Sequence, residues 1–278
     1  MSKTPEDWIG KKESCVDALD ASFAGRIAAM LARPSPQEGD ALSPLWHWAF
    51  FQIPVPPSGT GPDGHIAPGD FLPKSEGSTR MWAGGRVEFH NPLIIGQRAE
   101  RQSRIKSITE KTGRSGKLLF VTVEHNYRQN GELCLSEEQD IVYKAPAAPR
   151  LSLDKPVAEA EWSEKVTPSP LLLFRYSAVT FNGHRIHYDR PYTTEVEGYP
   201  DLVVHGPMIA TLMVQAFLDA NPGRKPVRLS YRGLRPLTVN KSFNVEGRVT
   251  GDGKAMLWAA NEDGPAHEAE IEFKENNA

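Results

Sequence analysis

Apolar positions along the chain change their period more than once. Within residues 1–33, Ala18, Phe23, Ile27, Met30 and Leu31 recur at roughly helical spacing, and Pro34 and Pro36 end the run. LSPLWHWAFFQ, residues 42–52, is a second compact apolar segment; Ser43 suits a cap and Pro44 a first helical turn, which predicts a helix from Pro44 to Gln52. The Pro- and Gly-dense stretch IPVPPSGTGPDGHIAPGDFLP then reads as an exposed loop. From Thr79 onward the pattern is that of strands: RMWAGGRVEFH, ERQSRIKSITEK, KLLFVTVEHNYR and ELCLSEEQDIVYK. They are broken at Asn91-Pro92, at Gly113 to Gly116 and at Asn130-Gly131, the last a hairpin signal.

KAPAAPRLSLDKP reads as a linker, and after it the order of elements repeats. Two apolar helical segments, LLLFRYSAVTF and HGPMIATLMVQAFLDA, precede four strand-like runs: VRLSYRGLRPLTV, SFNVEGRVTG, KAMLWAANE and HEAEIEFK. The segment from Gly206 to Ala220 is apolar almost all round, as a buried helix is, and Asn221-Pro222-Gly223 ends it. The halves share order of elements and negligible sequence. An α+β fold follows, with an antiparallel sheet wrapped around a central helix, used twice.

Composition narrows the function classes. The chain has 278 residues, 39% hydrophobic and 24% charged, with a formal net charge of −3. Basic residues are dispersed, so nothing argues for nucleic acid. No apolar stretch approaches the roughly 20 residues that span a bilayer. The polar N-terminus, MSKTPEDWIGKKESC, lacks the apolar region of a signal peptide. Cys15 and Cys134 fit no metal spacing and are read as reduced thiols, so a cytoplasmic location is expected.

The chemistry concentrates in FNGHRIHYD, residues 181–189. Three readings are open. His184, His187, Asp189 and the downstream His205 could ligate a metal, although Arg185 opposes a dication. Asn182-Gly183 could be a polar turn only. Or the imidazoles do acid/base work, since histidine can both take and return a proton near neutrality. In this last reading Val204-His205-Gly206-Pro207 matters. It opens the buried helix, whose free N–H groups and positive end can hold a developing oxyanion, and Gly206 admits a close carbonyl.

The span YSAVTFNGHRIHYDRPYTTEVEGYPDLVVHGPM resembles the signature of MaoC-like (hydratase 2) hot-dog hydratases and dehydratases: Gly-Asp-x-Asn-Pro-Ile-His with a later His-Gly pair. PLWHWAFF, FLP and RMWAGGRVEFHNPLIIG are similar to the fused subgroup that holds mesaconyl-C4-CoA (3-methylfumaryl-CoA) hydratases and mitochondrial-type 3-hydroxyacyl-thioester dehydratases. The resemblance covers nearly the whole chain. It implies a double hot-dog: residues 1–150 hold the acyl tail, with Trp46, Trp48, Phe50 and Phe51 as candidate tunnel walls or plain core, and residues 151–278 carry catalysis. His187 falls on the catalytic histidine and His205-Gly206 on the helix start. Asn182 stands where the signature has aspartate; it can orient a water but cannot deprotonate it, and Asp189 or His184 could assist.

The resemblance thus implies a hydro-lyase adding water across the C=C of an α,β-unsaturated acyl-CoA, with His187, Asn182 and the N–H of Gly206 catalytic and His184, Arg185 and His205 binding substrate. No metal and no cofactor are expected beyond the CoA of the substrate. A dicarboxylic acyl group needs a cation; among Arg80, Arg86, Arg175, Arg185 and Arg190, Arg185 is favoured because it lies inside the motif. Dehydration of 3-hydroxyacyl thioesters uses the same groups and is the alternative. A non-catalytic acyl-CoA-binding module is a third reading and a thioesterase a weaker fourth. Homodimerisation stays open.

Overall fold

Among the described residues every strand pairing is antiparallel, and the ten named strands join one sheet. The structure, a computed structural model, describes residues 4–67, 71–73, 77–113, 116–251 and 253–275. Parts of the expected N-terminal segment, the Pro/Gly loop and the Gly113–Gly116 break fall outside the described residues.

Strands β1 (Lys12–Asp17), β2 (Thr79–Phe89), β3 (Ala99–Gly113), β4 (Gly116–Gln129) and β5 (Glu132–Lys144) come from the first part of the chain. Strands β6 (Trp162–Val166), β7 (Arg224–Gly233), β8 (Phe243–Gly251), β9 (Lys254–Asn261) and β10 (Gly264–Glu275) come from the second. Their order is β1-β3-β4-β5-β2-β7-β10-β9-β8-β6, so read inward from each edge the two runs follow the same path and meet at β2–β7. The meeting register sets Gly85 opposite Tyr231 and Val87 opposite Leu229. The two expected sheets are therefore one continuous sheet. The short, polar edge strands β1 and β6 were not visible in the pattern.

The expected helices of the second part form as read. Helix α2 (Pro170–Val179) starts at Ser169, whose hydroxyl accepts the N–H of Leu172, with Pro170 in the first turn. Helix α3 (Gly206–Ala220) encloses Met208, Ile209, Met213 and Phe217 completely under β6–β10. Each such side chain contributes about 1.5–3 kcal/mol of burial. In the first part, helix α1 (Ala21–Met30) is capped by Asp20 and packs on α2.

The predicted helix from Pro44 to Gln52 is reduced to a single 3₁₀ turn, Trp46–Ala49. Leu45 (φ +68°) and Phe51 (φ +59°) adopt left-handed backbone at its two ends, which an α-helix cannot propagate through. The turn still takes the central place: Leu45, Trp46, Phe50 and Phe51 belong to the same core as α3. Trp46, Phe50 and Phe51 are thus packing residues. The gap left between α1, the 46–49 turn, α2 and α3 is only about 10 Å³.

Candidate active site

After α2 the chain turns at Phe181 (φ +50°). The N–H of Asn182 donates to the Ser177 carbonyl (2.8 Å), and its own Oδ1 accepts the N–H of His184 (2.9 Å). This side-chain-to-backbone turn feeds a short 3₁₀ turn, Arg185–His187. The N–H of Val203 donates to the Ile186 carbonyl and ties that turn to the strand-like lead into α3.

His187 is buried, and its Nδ1 donates to the Val203 carbonyl at 2.7 Å. That bond fixes the tautomer: Nε2 carries the lone pair, and no described residue partners it. Burial pushes the His187 pKa down to about 4, with His65 adding to the effect and the Val203 bond opposing it, so the ring is neutral at pH 7. The ring stacks on His205 with centroids 3.6 Å apart.

His205 is the residue before α3, whose first turn has free N–H groups at Gly206 and Met208 because Pro207 has none. Gly206 sits where a side chain could not. A Cβ there would lie 2.9 Å from Cε3 of Trp82, which reaches across from β2. His205 itself is fully enclosed, hydrogen-bonded through Nε2 to the Ser177 hydroxyl (2.9 Å) and flanked by Tyr176 at 4.8 Å. Its Nδ1 is buried without a partner, and burial holds its pKa well below the ordinary value. The His205 side chain, expected to bind substrate, is fully buried in this structure and stacks on His187.

Arg185 is held by neighbouring groups. Its Nε and Nη2 both donate to Asp189 Oδ2 (2.9 and 2.8 Å), Nη1 donates to the Pro62 carbonyl (3.0 Å), and the guanidinium lies over Tyr192. Three of its five N–H groups are thus taken by the protein itself. Asp189 is likewise paired with Arg185.

His184 is half-buried between two other imidazoles, 5.4 Å from His187 and 3.9 Å from His65 by ring centroids. Burial, then His65 and His187, depress its pKa to about 2. His65 comes from the loop taken as exposed in sequence. That loop docks on the motif. The N–H of Arg185 donates to the Asp63 carbonyl, and Gly64 (φ +85°) approaches Gly183 so closely that a Cβ would meet its carbonyl. Asp63 Oδ2 bonds His65 Nδ1 at 2.8 Å, which holds the Asp63 pKa below the usual carboxylate range.

Asp63, His65 and His184 carry donor atoms all within 4.8 Å of one another and are the one group among the described residues spaced to hold a metal. The positive charge of Arg80 bears on both histidines and opposes a dication there. The signal in the sequence was Asp-Gly-His inside a Pro/Gly loop, too short to separate from turn chemistry.

A surface cavity of about 480 Å³ lies on the opposite face of the sheet, where Arg86 pairs with Glu138 and Asp140 and Arg232 bonds Glu268. It does not border His187. No helix among the described residues is long and apolar enough to cross a membrane.

A curled antiparallel sheet around a buried helix, with a histidine-bearing turn against that helix's start, defines a double hot-dog protein of the hydratase and dehydratase class. The MaoC-like dehydratase of Phytophthora capsici shares this fold at a TM-score of 0.72 and 14% identity, covering 96% of each chain. HtdX of Mycobacterium tuberculosis does so at a TM-score of 0.65 and 16% identity, covering 94% of this chain and 99% of its own. The profile of the hydroxyacyl-thioester dehydratase type 2 family matches residues 45–239. The chain belongs to that family and is a hydro-lyase. It is 44% identical over 262 residues to mesaconyl-C(4)-CoA hydratase of Chloroflexus aurantiacus, 92% of this chain and 93% of the relative. It is 28% identical over 271 residues to the mitochondrial hydroxyacyl-thioester dehydratase type 2 of Schizosaccharomyces pombe, 87% of this chain and 88% of the relative.

Proposed function

We propose that the chain hydrates a short α,β-unsaturated acyl-CoA of the mesaconyl-C4-CoA (3-methylfumaryl-CoA) type. The observation that carries this reading is the His187 ring, fixed through Nδ1 to Val203, with Nε2 unpartnered beside the start of α3. Nε2 takes a proton from water as the water oxygen bonds to Cβ of the enoyl group. The C=C electrons move toward the thioester, and the resulting enolate oxygen is held by the N–H of Gly206. The imidazolium then returns the proton to Cα, so one water is added and the enzyme is restored. Asn182 spends its Oδ1 on its own turn, which leaves its NH₂ to donate to the water oxygen. No cofactor is invoked; CoA belongs to the substrate.

In this reading residues 151–278 form the catalytic unit, and residues 1–150 form a hot-dog unit that supplies Trp82 and the 61–65 loop. The interior around the 46–49 turn is filled by Leu45, Trp46, Phe50 and Phe51, which supports a short acyl group over a fatty tail. The 44% identity to the Chloroflexus enzyme supports the same class. Dehydration of a 3-hydroxyacyl thioester is the reverse use of the same groups and is favoured by the yeast relative's name. The protein acts in the cytoplasm in this reading, and the free edges β1 and β6 are where a homodimer would pair. The test is a panel of crotonyl-CoA, octenoyl-CoA and mesaconyl-C4-CoA followed by loss of enoyl absorbance. Turnover of octenoyl-CoA above the short substrates would reject the short-acyl reading.

A further inference from the structure

We infer that Arg80 binds the free carboxylate of a dicarboxylic acyl-CoA and sets the preference for that substrate; this rests on the hydratase reading above. In a 3-methylfumaryl thioester the carboxylate sits on the carbon that water attacks. Left unpaired, its charge repels the incoming oxygen, so the cation must lie beside the reacting centre.

The register places Arg80 there. On β2, Arg80 and Trp82 stand opposite Tyr143 and Ile141 of β5, on the inner face of the sheet. Trp82 touches the position of Gly206, so Arg80 lies one inward-facing position further along the same strand. It is half-buried, and its charge acts on His65, His184 and Tyr143.

The other arginines near the motif are spent or misplaced. Arg185 pairs with Asp189 and Arg190 with Asp201. Arg86 pairs with Glu138 and Asp140 on the outer face. Arg175 is exposed on α2. Arg80 pairs with no carboxylate among the described residues. A half-buried guanidinium with no carboxylate partner among the described residues, on the inner face beside Trp82 and with its charge bearing on two imidazoles, is poised for an anion from outside.

An anionic group could also be a phosphate of CoA, and the experiment separates the two. Mesaconyl-C4-CoA and 3-methylcrotonyl-CoA differ only in that a methyl replaces the carboxylate, and both carry the same phosphates. The ratio of their kcat/KM values is measured for the wild type, Arg80→Gln and Arg80→Lys. Arg80→Gln should lower the ratio by about 10- to 100-fold, and Arg80→Lys by less, because lysine keeps the charge and loses the fork. A ratio unchanged in Arg80→Gln overturns the inference. If both substrates fall together, Arg80 holds a phosphate; if neither falls, it is a bystander. A wild type that turns over no enoyl-CoA is a different result, and removes the hydratase reading itself.

Discussion

The inner face of the sheet carries two sets of buried titratable groups, one under each run of strands, and they are satisfied to different degrees. Under β2–β5, Glu137 is 1% exposed and accepts from Trp48 Nε1 (2.8 Å), Gln139 Nε2 (2.8 Å) and Tyr127 hydroxyl (3.0 Å), with His47 Nε2 at 3.1 Å and the Tyr231 hydroxyl at 3.5 Å. Burial alone would raise its pKa, but the His47 bond and charge and the other donors hold it down at about 2. Every lone pair is used. Beside α3, His187 has one nitrogen bonded and the other without a described partner. A saturated carboxylate holds a structure together, whereas a half-satisfied imidazole has capacity left for a substrate.

The largest expected effect separates the two. His187→Ala should lower kcat by about 10²–10⁴ and leave the unfolding midpoint near the wild-type value. Steady-state rates on crotonyl-CoA and a denaturant titration would check it, and near-normal turnover would show that water is activated elsewhere. Glu137→Ala should do the reverse. Removing the acceptor strands the imidazole, indole and two phenols in the core, at a cost of about 3–5 kcal/mol in unfolding free energy. A loss below about 1 kcal/mol would mean that water reaches the cluster and replaces the carboxylate.

The pH dependence follows from buried imidazoles on both sides of the comparison. His125, His187 and His267 each have a pKa depressed to about 4, burial being the first cause. The unfolded chain binds those protons near pH 6.5, so between about 6.5 and 4 the unfolded state holds more protons. Stability is therefore full above about pH 6.5 and declines as pH falls toward 4, by about 1.4 kcal/mol per unit for each group. kcat/KM, set by His187, should stay level down to about pH 5 and fall below. A break near 6.5 would contradict the buried, neutral ring.

How much of this was legible depended on whether neighbours in sequence carry the signal. The motif turn, α2, α3 and the long central strands announce themselves through local period, caps and breakers. Strands β1 and β6 are short, polar edges whose only reason to be strands is a partner; β1 pairs with residues 99–104 of β3. The 46–49 turn reads as a helix because its apolar spacing is right, and only the left-handed backbone at Leu45 and Phe51 ends it. Glu137 looks like an ordinary solvent-facing position in LSEEQD, since four of its partners lie elsewhere in the chain. Arg185 shows the same limit in reverse. Its place inside the motif marked it as functional, and its partners Asp189 and Pro62, invisible as such in the sequence, take three of its N–H groups. Arg80, outside the motif, is half-buried and has no carboxylate partner among the described residues.

The smallest effect tests how the two regions meet. Trp82 stacks on Tyr231 at 4.7 Å and lies edge-on to Trp48 at 5.8 Å, and both of those residues bond Glu137. The saturated cluster therefore holds the indole that abuts Gly206. In Gly206→Ala the new Cβ would stand 2.9 Å from Cε3 and 3.0 Å from Cζ3 of Trp82, while the ring is braced from behind. Either the ring or the start of α3 must shift by a few tenths of an ångström. Overpacking of this kind costs about 1–3 kcal/mol. A shift of the N–H at position 206 should also lower kcat by about 3- to 10-fold, since misplacement of about 1 Å can cost about 100-fold. Pairing it with Trp82→Phe makes room and should restore part of the lost rate. If Gly206→Ala loses stability but keeps kcat, the thioester oxygen is held at another donor, and Met208, with the next free N–H of α3, is the place to look.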